Sequence, residues 1–190
     1  MNRHEEISAL QREVMEKQAR LNELLRESGR AEIADHRLVE ASGEVRLSEL
    51  FGDRSDLIVI HNMGKGCPYC TLWADGLNGM LPHFESRSAI ALVSPDEPEE
   101  QRAFAESRGW KFRMVSDRAR SFTQDCGFVA NHEGREMVMP GFSTFTRDGD
   151  RIERVASSFF GPGDTYCAAW HMLALLADGV NEWQPRFDYS

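Results

Sequence analysis

The sequence has no long apolar run and no excess of basic charge. None of its 190 residues lies in a stretch approaching the roughly 18 apolar residues of a membrane-spanning helix. The first residues, MNRHEEISALQREVMEKQ, lack the apolar core and the cleavage site of a secretory signal. With 22 basic and 31 acidic residues, the formal net charge is -9, which argues against wrapping a nucleic-acid backbone. We therefore expect a cytoplasmic protein that binds neither membranes nor nucleic acids.

Cysteine is also scarce, with four residues in the chain. Because the cytoplasm keeps thiols mainly reduced, these four are not expected to form a disulfide framework. Cys67 and Cys70 form a CxxC pair, which in this compartment indicates redox chemistry or metal binding. Cys126 and Cys167 stand alone in the sequence, and we expect them to be small buried apolar residues.

The apolar residues, 41% of the chain, are sufficient for a globular core. Short apolar runs, typical of strands buried on both faces, alternate with stretches that have helical start and stop signals. This order predicts an α/β fold, a mixed sheet with helices on both faces. The predicted strands are a hairpin over 36–51 and runs at 57–61, 89–93, 111–115, 142–147 and 151–157; the predicted helices are 68–84, 95–108, 117–126 and 163–177.

Residues 1–30 are predicted to form a separate N-terminal helix, ahead of a single domain over 31–190. Apolar residues recur along this helix every three or four positions, with a break at Lys17: Ile7, Leu10, Val14, Leu21 and Leu24. Two interpretations stay open. Either the helix packs on its own domain, or the narrow stripe forms the contact of a homodimer.

The CxxC pair lies where a predicted strand and loop lead into a helix. Pro68 favours the first position of a helix, which makes Cys67 its N-cap. Unpaired backbone N–H groups and the positive end of the helix dipole then lower the pKa of Cys67, and Lys65 is expected to add to this effect. Cys70 lies one turn further along the same face. We therefore expect a catalytic dithiol in which Cys67 attacks and Cys70 resolves.

A family resemblance covers nearly the whole chain. Its most specific segment is LIVIHNMGKGCPYCTLWADGLNG, and VRLSELFGDRSDLIV, RGWKFRMVSD and PGFSTFTRDGDRI support it. The chain resembles a bacterial thioredoxin-like family, domain of unknown function 899, of predicted dithiol–disulfide oxidoreductases. The resemblance implies a thioredoxin-like fold of the peroxiredoxin-type variant and thiol–disulfide exchange without a cofactor or metal. The substrate would be a protein or a small-molecule thiol or disulfide. The CPYC tetrapeptide, which includes Tyr69, is similar to that of glutaredoxins.

One position departs from the thioredoxin pattern. Thioredoxins carry a cis-proline at the start of the strand beside the CxxC pair, and by similarity to their Gly-Val-Pro-Thr pattern Ser143 stands there. A non-proline residue in the cis form costs about 3 kcal/mol. We therefore expect Ser143 to follow a trans bond and the substrate groove to differ from that of thioredoxin.

Two other functions remain open. A peroxide reductase would fit a peroxiredoxin-like layout, but those enzymes usually carry Thr three residues before the attacking Cys, where this chain has Gly64. A non-catalytic dimeric binding module with structural or zinc-binding cysteines is the second, although a zinc site usually requires two further ligands at similar spacing. Trp73 either flanks the dithiol or packs in the core, and burial in the core is the favoured interpretation. His61 is expected to be a structural histidine.

Overall fold

A mixed eight-stranded sheet organises the chain in a computed structural model that describes residues 2–132 and 134–190. Its strand order is β1-β10-β9-β4-β5-β6-β2-β3, and β7 and β8 form a separate hairpin. The strands are β1 (Ala31–Glu32), β2 (Arg37–Glu40), β3 (Gly43–Arg46), β4 (Asp56–His61), β5 (Ala89–Ser94), β6 (Arg113–Ser116), β7 (Val129–His132), β8 (Arg135–Val138), β9 (Gly141–Asp148) and β10 (Arg151–Phe159). The helices are α1 (Arg3–Ser28), α2 (Pro68–Gly79), α3 (Leu81–Glu85), α4 (Pro98–Arg108), α5 (Ser121–Asp125) and α6 (Ala168–Leu173).

Strand β4 lies at the centre of the sheet and is covered on both faces. It pairs in parallel with β5 and antiparallel with β9. Side chains alternate along a strand, so Leu57 and Val59 enter one apolar core, which includes Phe122 of α5. Ile58 and Ile60 contact the opposite core, which includes Trp73 of α2. The predicted sheet with helices on both faces is therefore confirmed.

Three predicted helices are shorter than expected. The helix predicted for 117–126 covers only Ser121–Asp125, because Arg120 before it adopts a left-handed φ of 57°. The segment predicted as one helix over 68–84 divides at Met80 into α2 and α3. Pro82 explains the division, because a proline inside a helix removes one hydrogen bond and collides with the carbonyl four residues earlier. The helix predicted for 163–177 covers only Ala168–Leu173. Here the Asp164 carboxylate accepts the backbone N–H groups of Gly161, Tyr166 and Cys167, which holds this segment in a turn.

The hairpin of β7 and β8 was not predicted from the sequence. Its eight strand residues include several polar or charged side chains and show no alternation of buried and exposed positions. In the turn, the Asn131 side chain accepts the backbone N–H of Gly134 over 3.0 Å.

Helix α1 matches the predicted N-terminal helix and begins with a capping box formed by Asn2 and Glu5. None of its residues Arg3–Ser28, all of which the structure describes, is buried. The helix meets the sheet at its C-terminal end, where a side chain at Gly29 would collide with the backbone of Ala156 in β10. The apolar stripe of α1 therefore remains exposed in the single chain.

Gly141 in β9 provides a test of how tightly the sheet is packed. A Cβ at this position would overlap the carbonyl oxygen of Ser158 and the ring of Phe128. We expect Gly141→Ala to lower the free energy of unfolding in urea by about 1–3 kcal/mol, as overpacking does elsewhere. The control is Gly76→Ala in α2, where no atom lies within 4 Å of the new Cβ. A helical alanine should raise the free energy of unfolding by about 0.5–1 kcal/mol. Equal stability of the two variants would contradict this account of the packing.

Candidate active site

The sulfur of Cys67 caps the N-terminus of α2. It accepts the backbone N–H of Cys70 over 3.1 Å, and Pro68 occupies the first turn of the helix. Pro68 suits this place because its fixed φ angle fits the helix and its missing N–H is not needed there. Cys67 is half-buried and Cys70 is buried. The predicted N-cap position of Cys67 is confirmed.

The pKa values of the two thiols are shifted in opposite directions. A hydrogen bond from the Cys70 thiol, supported by backbone N–H groups of Cys70 and Tyr69, lowers the pKa of Cys67 to about 7 against the opposing effect of burial. The same hydrogen bond, together with burial, raises the pKa of Cys70. Near neutral pH, Cys67 therefore has substantial thiolate character while Cys70 keeps its proton. This is the asymmetry that an attacking and a resolving thiol require.

Lys65 does not take the role expected from the sequence. Its ammonium pairs with Glu100 of α4, with 2.7 Å between Nζ and Oε1. Both groups are exposed, and the pKa of Cys67 is lowered by hydrogen bonds from Cys70 and Tyr69 rather than by this cation. The prediction for Lys65 is corrected because proximity in sequence does not decide the direction of a long flexible side chain.

The loop before Cys67 is held by the carboxylate of Asp96. Oδ2 of Asp96 accepts the backbone N–H of Lys65 over 2.7 Å. Gly64 has a φ of 109°, and a Cβ there would lie 2.9 Å from Oδ1 of Asp96. The Asn62 side chain accepts the N–H of Gly64 over 2.8 Å. A glycine is therefore required at position 64 both by its backbone angle and by the close carboxylate.

Two further hydrogen bonds hold the Asp96 side chain in place. The hydroxyl of Ser94 donates to Oδ2 of Asp96 over 3.2 Å, and the buried amide of Gln101 donates to that hydroxyl over 2.8 Å. Sequence reasoning missed Asp96, although a signal was present. It follows β5, and because β4 and β5 are parallel, the residues after both strands meet at one edge of the sheet.

Aromatic side chains surround the helix that carries the dithiol. Trp73 is buried and stacks on Phe160 with 5.2 Å between ring centroids, which confirms its predicted place in the core. The half-buried ring of Tyr69 stacks on Trp170 at 6.1 Å. A cleft of about 770 Å³ opens beside Tyr69, between α6 and the C-terminal segment that contains Trp183.

Ser143 lies on the face of the sheet opposite α2. Its hydroxyl is 3.0 Å from Nε2 of His61, and the imidazole stacks on Phe128 at 3.9 Å between centroids. Burial, together with the charge of Arg154, lowers the pKa of His61 to about 3, so this imidazole is neutral. The described residues contain no cis peptide bond, so Ser143 follows a trans bond as expected. Ser143 thus supports the sheet beneath the site and does not line the dithiol side.

Cys126 and Cys167 are buried, as predicted. Burial raises the pKa of the Cys126 thiol to about 12. Across residues 2–132 and 134–190, no group of three His, Cys, Asp or Glu side chains is arranged to hold a metal ion. Over the same ranges, no helix combines the length and the apolar character that crossing a membrane requires.

Comparison with known proteins identifies the family. A family model described as a bacterial protein of unknown function (DUF899) matches residues 2–189. The chain belongs to this family. This match confirms the resemblance inferred from the motifs around Cys67. No curated protein matches the DUF899 chain.

Solved structures with a similar fold are peroxiredoxins. Peroxiredoxin Q of Xanthomonas campestris is 21% identical, with a TM-score of 0.57 over 66% of this chain and 80% of its own. Peroxidoxin BcpB of Mycobacterium tuberculosis is 23% identical, with a TM-score of 0.54 over 68% and 83%. Vibrio vulnificus Prx3 is 16% identical, with a TM-score of 0.55 over 72% and 87%. These similarities establish the thioredoxin-like fold of the peroxiredoxin type for this DUF899 protein.

The acidity of Cys67 gives a direct prediction. In the reduced protein, alkylation of Cys67 by iodoacetamide should follow thiolate formation with a midpoint near pH 7 and fall at lower pH. Cys70→Ala removes the hydrogen bond that most lowers this pKa, so its midpoint should move toward the ordinary value of about 8.5. Cys126→Ala is the control and should leave the profile unchanged. A wild-type midpoint at the ordinary value would refute the activated thiolate.

The Asp96 anchor is tested by paired substitutions. Asp96→Ala removes the acceptor of the Lys65 N–H and should lower the free energy of unfolding by about 1–3 kcal/mol. Asp96→Asn keeps one acceptor oxygen and should recover at least half of this loss. Asp53→Ala, at an exposed position, should change stability by less than about 0.5 kcal/mol. Urea unfolding measures all three, and an Ala variant as stable as the wild type would show that the anchor contributes nothing.

Proposed function

We propose that this DUF899 protein is a thiol–disulfide oxidoreductase whose dithiol is Cys67 and Cys70. The observation that carries the proposal is the pairing of an N-capping sulfur of lowered pKa with a buried, protonated thiol one helical turn behind it. A structural cysteine pair has no need for this asymmetry, whereas stepwise exchange requires it.

In the first step, the Cys67 thiolate attacks one sulfur of a substrate disulfide. A mixed disulfide forms between Cys67 and that sulfur, and the other substrate sulfur leaves as a thiolate. In the second step, the proton of Cys70 passes to the thiolate that left in the first step, directly or through water. The Cys70 sulfur then attacks Cys67, which forms the Cys67–Cys70 disulfide and releases the second substrate sulfur. The substrate gains two electrons and the dithiol loses two.

The site supports this order of events. The pKa of Cys70 is raised first by its hydrogen bond to Cys67, with burial and the negative charge of Cys67 as further causes. Once Cys67 is part of a mixed disulfide, its sulfur is uncharged and a poor acceptor. The main cause of the raised pKa is then removed, so the resolving thiol becomes more acidic when its attack is needed.

Access to the site favours an exchange partner that approaches over Tyr69. Cys67 is half-buried, and the 770 Å³ cleft begins at the Tyr69 ring. Its aromatic walls suit an apolar side chain of a protein substrate or the organic part of a small-molecule disulfide. The chemistry requires no cofactor or metal, and a cytoplasmic location would supply the reductant that returns the dithiol to its reduced form.

A peroxide reductase is the second candidate, favoured by the fold. One similar structure, from Xanthomonas campestris, is described by its alkyl peroxide reduction activity. In such a reaction, the Cys67 thiolate attacks a peroxide oxygen, which forms a sulfenic acid and, after protonation, releases an alcohol. Cys70 then condenses with the sulfenic acid, water leaves, and the same disulfide results. Gly64, three residues before Cys67, is the departure from that enzyme class.

A Cys70→Ser variant separates these reactions. Serine keeps a hydroxyl that donates to the Cys67 sulfur but cannot resolve, so Cys67 should accumulate a mixed disulfide with a peptide disulfide probe. Intact-mass spectrometry should show the adduct in this variant, and the Cys67→Ser variant should show none. Cys126→Ser is the matched control and should still form the Cys67–Cys70 disulfide.

The peroxide reductase reaction is tested on the same Cys70→Ser variant. Cumene hydroperoxide serves as the substrate, and dimedone traps the sulfenic acid. A dimedone adduct without disulfide exchange would favour the peroxide reductase. If the wild type forms no reversible Cys67–Cys70 disulfide with either reagent, both redox functions fail and the non-catalytic binding module is favoured.

A further inference from the structure

Helix α1 is long, and none of its described residues is buried against the rest of its own chain. Its 26 residues span about 39 Å at 1.5 Å per residue. Contact with the sheet occurs at the C-terminal end, where Leu25 is half-buried and Gly29 approaches Ala156. Helices in proteins gain most of their stability from packing of an apolar face against another element, and α1 lacks such packing along most of its length.

The unpacked face of α1 has the spacing of a coiled-coil seam. In a heptad labelled abcdefg, the a positions are Ile7, Val14 and Leu21, and the d positions are Leu10, Lys17 and Leu24. The five apolar members of this seam are between 43% and 65% exposed. The chain itself leaves this stripe in water, which makes it available to a partner helix.

We propose that two copies of the chain associate through antiparallel α1 helices. In this arrangement each a residue lies opposite a d residue of the second copy. The layers are Ile7 with Leu24, Leu10 with Leu21, and Val14 with Lys17, and two-fold symmetry repeats each of them. The contact uses every position of the seam.

Lys17 selects the antiparallel orientation. A parallel pair in register would place Lys17 against Lys17 of the second copy, two like charges in the seam. The antiparallel pair places Lys17 against Val14, where its carbon stem covers the apolar side chain and its ammonium extends to water. The exposed Glu13 lies 2.8 Å from this ammonium within the same helix, so the charge remains compensated.

The flanking charges provide one contact that is specific to the antiparallel orientation. The g positions are Glu6, Glu13, Arg20 and Glu27. In the antiparallel pair g faces g, so Glu13 lies near Arg20 of the second copy, twice by symmetry. Glu6 also meets Glu27 of the second copy, twice by symmetry, so these repulsive pairs offset the Glu13–Arg20 attraction and the preference for the antiparallel orientation depends on Lys17. In a parallel pair g would face e, and Gln11, Gln18 and Leu25 offer no opposite charge.

The antiparallel pair also directs the two sheet domains to opposite ends of the helices. Each domain is attached where α1 ends at Gly29, so the two domains do not overlap sterically. Neither dithiol lies in the contact. The association is therefore independent of the proposed redox function, and each can fail while the other holds.

Sedimentation velocity of the full reduced chain tests the contact. We expect a dimer for the wild type at about 100 μM, and Leu21→Lys should raise the dissociation constant at least about 100-fold by losing two buried leucines per dimer. Met15→Lys is the matched control. Met15 is 73% exposed on the same helix but lies at a b position outside the seam, so this variant should remain dimeric.

The orientation is tested by exchanging charges. Glu13→Arg and Arg20→Glu each place like charges together in the antiparallel dimer and should weaken it by about 2- to 10-fold. The double variant restores the opposite pair between the copies and should bind more tightly than either single variant, although it loses the pairs of Glu13 with Lys17 and of Arg20 with Glu23 within each helix. In a parallel dimer the double variant would show no such recovery.

Three results would overturn the proposal. They are a monomeric wild type, a dimer whose dissociation constant does not change in Leu21→Lys, or an equal rise in the dissociation constant of Leu21→Lys and Met15→Lys. Far-UV circular dichroism and the alkylation rate of Cys67 confirm that each variant has folded. A wild type that is monomeric and fully folded by both measures would rule out self-association through α1.

Discussion

The burial of β4 on both faces is the constraint on which the rest of the structure depends. Leu57 and Val59 enter one core, and Ile58 and Ile60 contact the other. A strand held in this way cannot slip by one residue without turning every side chain to the wrong face. Its end is therefore fixed, and with it the start of the loop that leads to Cys67.

From this fixed point, two polar contacts place the dithiol. The Asp96 carboxylate holds the loop at Lys65, and the Cys67 sulfur closes the first turn of α2 by accepting the N–H of Cys70. The contact between the two thiols, together with the backbone N–H groups of Cys70 and Tyr69, lowers the pKa of Cys67, and the same contact together with burial raises the pKa of Cys70. In the proposed chemistry, a mixed disulfide at Cys67 abolishes the contact between the thiols and so makes Cys70 more acidic.

The same fold keeps other reactive groups away from the site. His61 lies only six residues before Cys67, but the alternation of β4 directs it to the opposite face, where it is neutral and contacts Ser143. Cys126 is buried on that face as well. The proposed dithiol chemistry therefore does not use His61, and the lowered pKa of Cys67 comes from the paired thiol and from backbone N–H groups at the helix terminus. The N-terminal helix is attached at one end only, which leaves its seam free for association.

The sequence alone was sufficient to predict the strands around β4, the N-cap role of Cys67, the place of Cys70 and the family, because each depends on local spacing or on a contiguous motif. It did not predict the division of α2 from α3 or the late start of α6, where Pro82 and the Asp164 turn compete with helical periodicity. Folding brings Lys65 to Glu100, Asp96 to the loop before Cys67, and Ser143 to the face opposite α2. These contacts join residues distant in sequence, so they follow only once the neighbouring strands and the face that each side chain enters are known.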